Sequence, residues 1–211
     1  MTDNKKDNEL NGADIFSDWN TLIATPKPMP KQDDDMGLDL GNLMTGSSDE
    51  NYWLKLFQQT KLFGMDLVAL KLIPNYTHDF KAEQAQTKVQ ARVFLLGLSH
   101  LHRNDLRVAG LSEDQIDGLS NGVVPINWTV HLKYPVAYGG AITPNNFVLM
   151  PHHPFHEELH HFINKQIVTD AGVMSPATLY VPTPKSAVYV PFGSTEMPSK
   201  VIRFEVAGGT K

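Results

Sequence analysis

The fold turns on residues 128–167, WTVHLKYPVAYGGAITPNNFVLMPHHPFHEELHHFINKQI. Trp128 to Tyr134 is rich in β-branched and aromatic residues and reads as a strand. A loop containing Gly139, Gly140 and Pro144 follows, and then a second short apolar run, Phe147 to Met150. From Pro154 the pattern turns helical. Proline is tolerated at a helix start because its missing N–H would have no partner there anyway. Glu157 and Glu158 then suit the positive end of the helix dipole. Strand, loop, strand and helix together make a ββα unit.

Six of the nine histidines lie between His131 and His161. His156 and His160 are four residues apart, so one face of a helix carries both imidazoles. A hairpin folded back on that helix brings His131 beside them. Three nitrogen donors with a fourth position open is the arrangement of a catalytic metal ion. Neutral imidazole suits zinc, or a neighbouring transition metal, better than magnesium. A histidine-rich surface helix and a purely structural ion are the plainer alternatives. His161 falls on another face and reads as a surface residue. His152 and His153 read as loop residues, with a phosphate contact as the sharper possibility. His100 and His102 stand beside Arg103 and Arg107 without an assigned role.

Working outward, the rest of the chain predicts an α+β protein: a helical N-terminal half, the ββα-metal core, and short C-terminal strands. Tyr52, Trp53, Leu56, Phe57, Leu62, Phe63, Leu67 and Leu70 recur at helical spacing, and Pro74 interrupts them. A second helix is expected from about Lys81 to about Leu101, with Val89, Val93, Phe94, Leu96 and Leu98 as its core face. Ser112 to Leu119 predicts a short helix with Ser112 as N-cap, followed by a turn at Asn121-Gly122. Alternation with prolines over Thr178 to Val206 predicts two or three edge-type strands.

Residues 1–50 read as a separate acidic arm, with eleven acids against four lysines and an Asp run at 33–35. Within it only Ile15 to Ile23 is amphipathic enough to dock on a partner. Residues 51–211 then form the folded part, with its core at about 100–170.

The formal net charge of −5 sits in the arm; the remainder is slightly basic and can approach a polyanion. With no cysteine, disulfides and Cys-type zinc sites are excluded. No run approaches the roughly 18 apolar residues of a membrane helix, so no membrane partner is expected. The N-terminus lacks an apolar signal core, so any export must proceed without a signal peptide.

The string V-H-L-K-Y-P-x3-G-G-x5-N-F-V-L-M-P-x4-H-x3-H, from Val130 to His160, resembles the HNH (ββα-metal) nucleases. It is most similar to the colicin-like and type VI-secreted bacterial DNase effectors, and LRVAGLSEDQIDGLSNGVVPINW upstream resembles their lead-in. The likeness covers roughly residues 100–170. It implies His131, His156 and His160 as ligands of one divalent ion (Zn, Ni, Mn or Mg, the zinc type favoured by histidine). It implies that Asn146 braces the loop and that the ion stabilises the charge developing on a scissile phosphate. Arg103 and Arg107 are candidate DNA-backbone contacts, with structural roles equally open. The resemblance also implies double-stranded DNA as substrate, a cognate immunity protein and a secretion-system carrier. The protein would be made in a bacterial cytoplasm and delivered into a target cell.

One departure stands out. The family places its general-base histidine directly after the first ligand, and here that position is Leu132. A general base contributes about 10²–10⁴-fold. The chain is therefore an inactivated toxin, a natural pseudo-nuclease that only binds, or an enzyme using another base such as His152 or His153. A different class also fits a shorter pattern: His156-Glu157-x-x-His160 is the zinc-protease motif, with Glu196 or Glu205 as the downstream ligand.

Overall fold

The computed structural model describes residues 50–73, 76–77, 79–167, 177–191 and 195–204. The arm at 1–49, including the amphipathic piece at 15–23, lies outside the described residues. The architecture is mixed α and β, with a three-stranded and a two-stranded sheet.

Helix α1, Glu50–Phe57, opens the described chain. The helical spacing that continues through Leu70 does not extend it. Gly64 adopts φ 75, a left-handed turn, and Met65–Lys71 is strand β1. The reason is position in the sheet. β1 is the central strand, and a strand covered on both faces carries a near-continuous apolar run that mimics helical spacing. Its neighbours are β4 (Thr178–Pro184), antiparallel, and β5 (Val201–Arg203), parallel. The prolines of β4 fit because β4 is an edge strand with one side free of ladder bonds.

Helix α2 spans Phe80–Leu101 and is capped by the Asp79 carboxylate on the Ala82 N–H. It buries Thr87, Ala91, Phe94, Leu95, Leu98 and Ser99. Phe94 and Leu98 are buried as expected, whereas Val89, Val93 and Leu96 stand exposed, so the core face is shifted around the helix from the one expected. Helix α3 (Arg103–Val108) and helix α4 (Glu113–Ser120) follow. Ser112 caps α4 as expected, and Gln115 bonds back to the Ser112 N–H to complete a capping box.

Strands β2 (Trp128–Leu132) and β3 (Phe147–Pro151) form an antiparallel hairpin. After an irregular helical turn at His152–His156 comes helix α5, Glu157–Ile167. The strand–loop–strand–helix order is thus present. α5 is held to the main sheet by Gln166, whose amide donates to the Tyr180 carbonyl and accepts from the Tyr180 N–H, both at 2.7 Å. Trp53 and Phe57 of α1 meet Phe162 of α5 edge-on at 5.9 and 5.5 Å. Each such buried aromatic stabilises the fold by about 1.5–3 kcal/mol.

Candidate metal centre

The site begins with the pleat of β2. Residues directly opposite across a ladder share a face. His131 lies opposite Val148, and Leu132 opposite Phe147. Phe147 packs on Phe94 of α2 with ring centroids 5.7 Å apart, so Leu132 and Phe147 look toward α2. His131 therefore looks the other way, toward α5, and its ring stands 5.1 Å from that of His156 and 5.2 Å from that of His160.

The three rings are close to mutually perpendicular, at interplanar angles of 75–89°. The Nε2 atoms of His156 and His160 lie 2.9 Å apart. One potential donor atom from each residue falls within 4.8 Å of the others. Two nitrogens bound to a tetrahedral ion at about 2.0–2.1 Å would be separated by roughly 3.3 Å, a spacing close to that of the His156–His160 pair. His131 and His156 are buried, and His160 is half-buried.

Burial decides the protonation state. It pushes His131 well below the usual imidazole range, with further lowering from His156 and His160. His156 is lowered to about 2 by burial first and by His160 and His152 next. His160 is lowered to about 4 by burial and by His152. All three rings are thus neutral at pH 7 and offer lone pairs. A buried cluster of neutral imidazoles fits a zinc-type ion; the all-oxygen preference of magnesium does not match it.

Asn146 ties the loop between the strands, as expected. Its Nδ2 donates to the Tyr134 and Ala141 carbonyls at 2.8 and 2.9 Å, and its Oδ1 accepts from the Tyr134 N–H at 3.0 Å. The Gly-Gly pair serves the same loop. Gly139 adopts φ 91, and a Cβ on Gly140 would fall 1.9 Å from the Tyr134 oxygen. The loop thus requires the left-handed region at one glycine and a missing side chain at the next.

Three expected residues take other places. Leu132 is 4% exposed and faces α2, so the general-base position of the resembling family points into the core, away from the histidines. Arg103 donates to Asp117 and Glu113 at 2.9 and 2.6 Å. Arg107 donates to Glu113 at 2.6 Å and to Asn104 at 3.0 Å. Both guanidinium groups hold Glu113 down to about 2, and their charge is matched by acids. Glu196, offered as a downstream ligand, is not part of the histidine group, and Glu205 lies outside the described residues. His161 is exposed, as expected.

Two features escaped the sequence reading. Lys133 extends the ladder through its N–H to the Asn146 carbonyl at 2.7 Å, which places it on the His131 face. It is half-buried, and desolvation lowers its pKa. The i, i+2 relation to His131 was the available signal. The second is the pairing of Glu157, already singled out in sequence, with two loop histidines: it accepts from His153 Nδ1 at 2.7 Å and stands 3.9 Å from His152 Nδ1.

No family model matches the chain, and neither does a curated protein or a solved structure.

Proposed function

We propose that this chain is a metal-dependent endonuclease of the ββα-metal type, hydrolysing phosphodiester bonds of double-stranded DNA. The observation that carries the reading is the strand-and-helix origin of the donor trio, with His131 on β2 facing His156 and His160 at the start of α5. The Asn146 brace and the glycine loop sit between the two strands, in the order the resemblance requires. A bound ion supplies Lewis-acid stabilisation of the charge that develops on phosphate. The chain's own part is to hold three neutral donors and present Lys133 on the same strand face to the phosphate backbone.

The biological setting follows from the same resemblance: an antibacterial effector, delivered by a carrier and held harmless by an immunity protein in the producing cell. The zinc-protease motif is met in sequence, but its glutamate is engaged by His153 and its third donor comes from upstream. A binding-only module is favoured by one observation, the core-facing Leu132.

The test is nicking of supercoiled plasmid by the purified chain with Zn²⁺, Ni²⁺, Mn²⁺ or Mg²⁺, with EDTA and His131→Ala as controls. Metal-dependent nicking lost in His131→Ala is expected. Metal binding without nicking under every ion establishes the binding-only reading. Neither binding nor nicking refutes the site itself.

A further inference from the structure

With Leu132 turned into the core, a nuclease at this site needs a proton acceptor from elsewhere. The rim of the donor trio offers His152, His153 and Glu157 among the described residues. We propose that His152 is the general base of this site and that Glu157 positions it; the inference rests on the nuclease reading above.

The geometry singles out His152. Its ring lies 5.2 Å from that of His156, tilted by 42°, yet it is not one of the three converging donors. It is thus next to the ion site without being consumed by it. Its side chain is 50% exposed, so the ring borders the solvent from which water and substrate arrive. Nδ1 is turned toward Glu157 Oε1 at 3.9 Å, while the other carboxylate oxygen takes His153. That separation is longer than a hydrogen bond, so Glu157 acts on the ring as a nearby negative charge on its Nδ1 side, and Nε2 lies at the other end of the ring. The backbone is fixed as well. The His152 N–H donates to the Asn127 carbonyl at 2.7 Å, and Asn127 holds the left-handed φ of 66 just before β2. A non-glycine residue held there is uncommon and is overdetermined by its surroundings. His153 fits the role less well: its side chain is 73% exposed against 50% for His152, whose ring packs beside that of His156.

The step balances without any oxidant or co-reactant. His152 Nε2 takes a proton from water as the water oxygen bonds to phosphorus. The phosphorus–oxygen bond to the leaving sugar breaks in line, and the departing oxygen takes a proton from solvent. His152 then returns its proton to solvent.

The test uses the full chain on supercoiled plasmid, comparing wild type, His152→Ala, Glu157→Gln and the double variant. Each is also titrated with Zn²⁺ and checked by circular dichroism. His152→Ala should lose about 10²-fold or more in nicking rate while keeping zinc affinity and fold. Added imidazole should raise its rate, because a small diffusible base can occupy the vacated space. Glu157→Gln should slow wild type but cost nothing further in the His152→Ala background, since a positioning residue acts only through the group it positions. The proposal is overturned if His152→Ala nicks at the wild-type rate, loses zinc, or gains nothing from imidazole. It is also overturned if the two losses add. Wild-type protein that nicks under no ion overturns the nuclease reading together with it, whereas active wild type with active His152→Ala removes the base alone.

Discussion

Leu132→His restores the residue pair that the resembling nucleases carry, and the structure predicts that it damages the protein instead of activating it. Leu132 is 4% exposed and shares its face with Phe147, against α2. Removing the leucine forfeits about 1.5–3 kcal/mol of apolar burial. Placing an imidazole there without a hydrogen-bond partner costs about 1–3 kcal/mol more. Together that is about 2.5–6 kcal/mol, a large share of the 5–15 kcal/mol typical of a domain. At roughly 2–4 °C per kcal/mol for a chain of this size, thermal unfolding should move down by about 5–24 °C. The assay pairs a circular-dichroism melt with plasmid nicking. A variant that melts with the wild type and nicks faster would show that position 132 faces the histidines after all, and the face assignment of β2 would fall.

Gly140→Ala should destabilise by about 3 kcal/mol or more, because the new Cβ meets backbone oxygen and Asn146 Nδ2 with no flexible end to give way; a melt within 1–2 °C of wild type would contradict this. The metal-free protein should lose stability on acidification. Its histidines are held below their ordinary range, so below the unfolded value near 6.5 the unfolded chain takes up protons that the folded one refuses until about 4 at His160 and about 2 at His156. Denaturant midpoints in EDTA should therefore be level above pH 6.5 and fall from there toward pH 4, and a flat profile to pH 5 would count against buried neutral rings. Lys133→Ala should weaken DNA binding and reduce the slope of log affinity against log salt by about one, as for a single phosphate contact; an unchanged slope removes Lys133 from the interface.

The donor trio was legible because its signal is local: two histidines one helical turn apart and a third on a preceding strand, with turn chemistry between. Ser112 at its cap and the prolines of β4 were legible for the same reason. What failed was non-local. Leu62 to Leu70 has helical spacing, but a strand buried on both sides looks the same, and only the sheet around β1 decides. The buried side of α2 was read only in part: Phe94 and Leu98 are inside, but hydrophobicity pointed to Val89, Val93 and Leu96, whereas the fold buries Thr87, Ala91 and Ser99. Arg103 and Arg107 offered positive charge in sequence, and only the docking of α4 brings Glu113 and Asp117 to them. Position 132 directly follows His131 in sequence, but which face it occupies is set by the β2–β3 register, which spacing alone does not give.

His131 belongs to the hairpin and His156 to the turn that opens α5, with 24 residues of chain between them. An ion shared by the two is therefore a reversible cross-link, closing a loop much as a disulfide would in a chain that has no cysteine. Its strength is tied to folding, since the donors converge only when hairpin and helix are docked. Loading and unloading the ion would then clasp and release the docking of two structural elements, so the metal content of its surroundings would set how long this chain survives unfolding forces as well as whether it reacts.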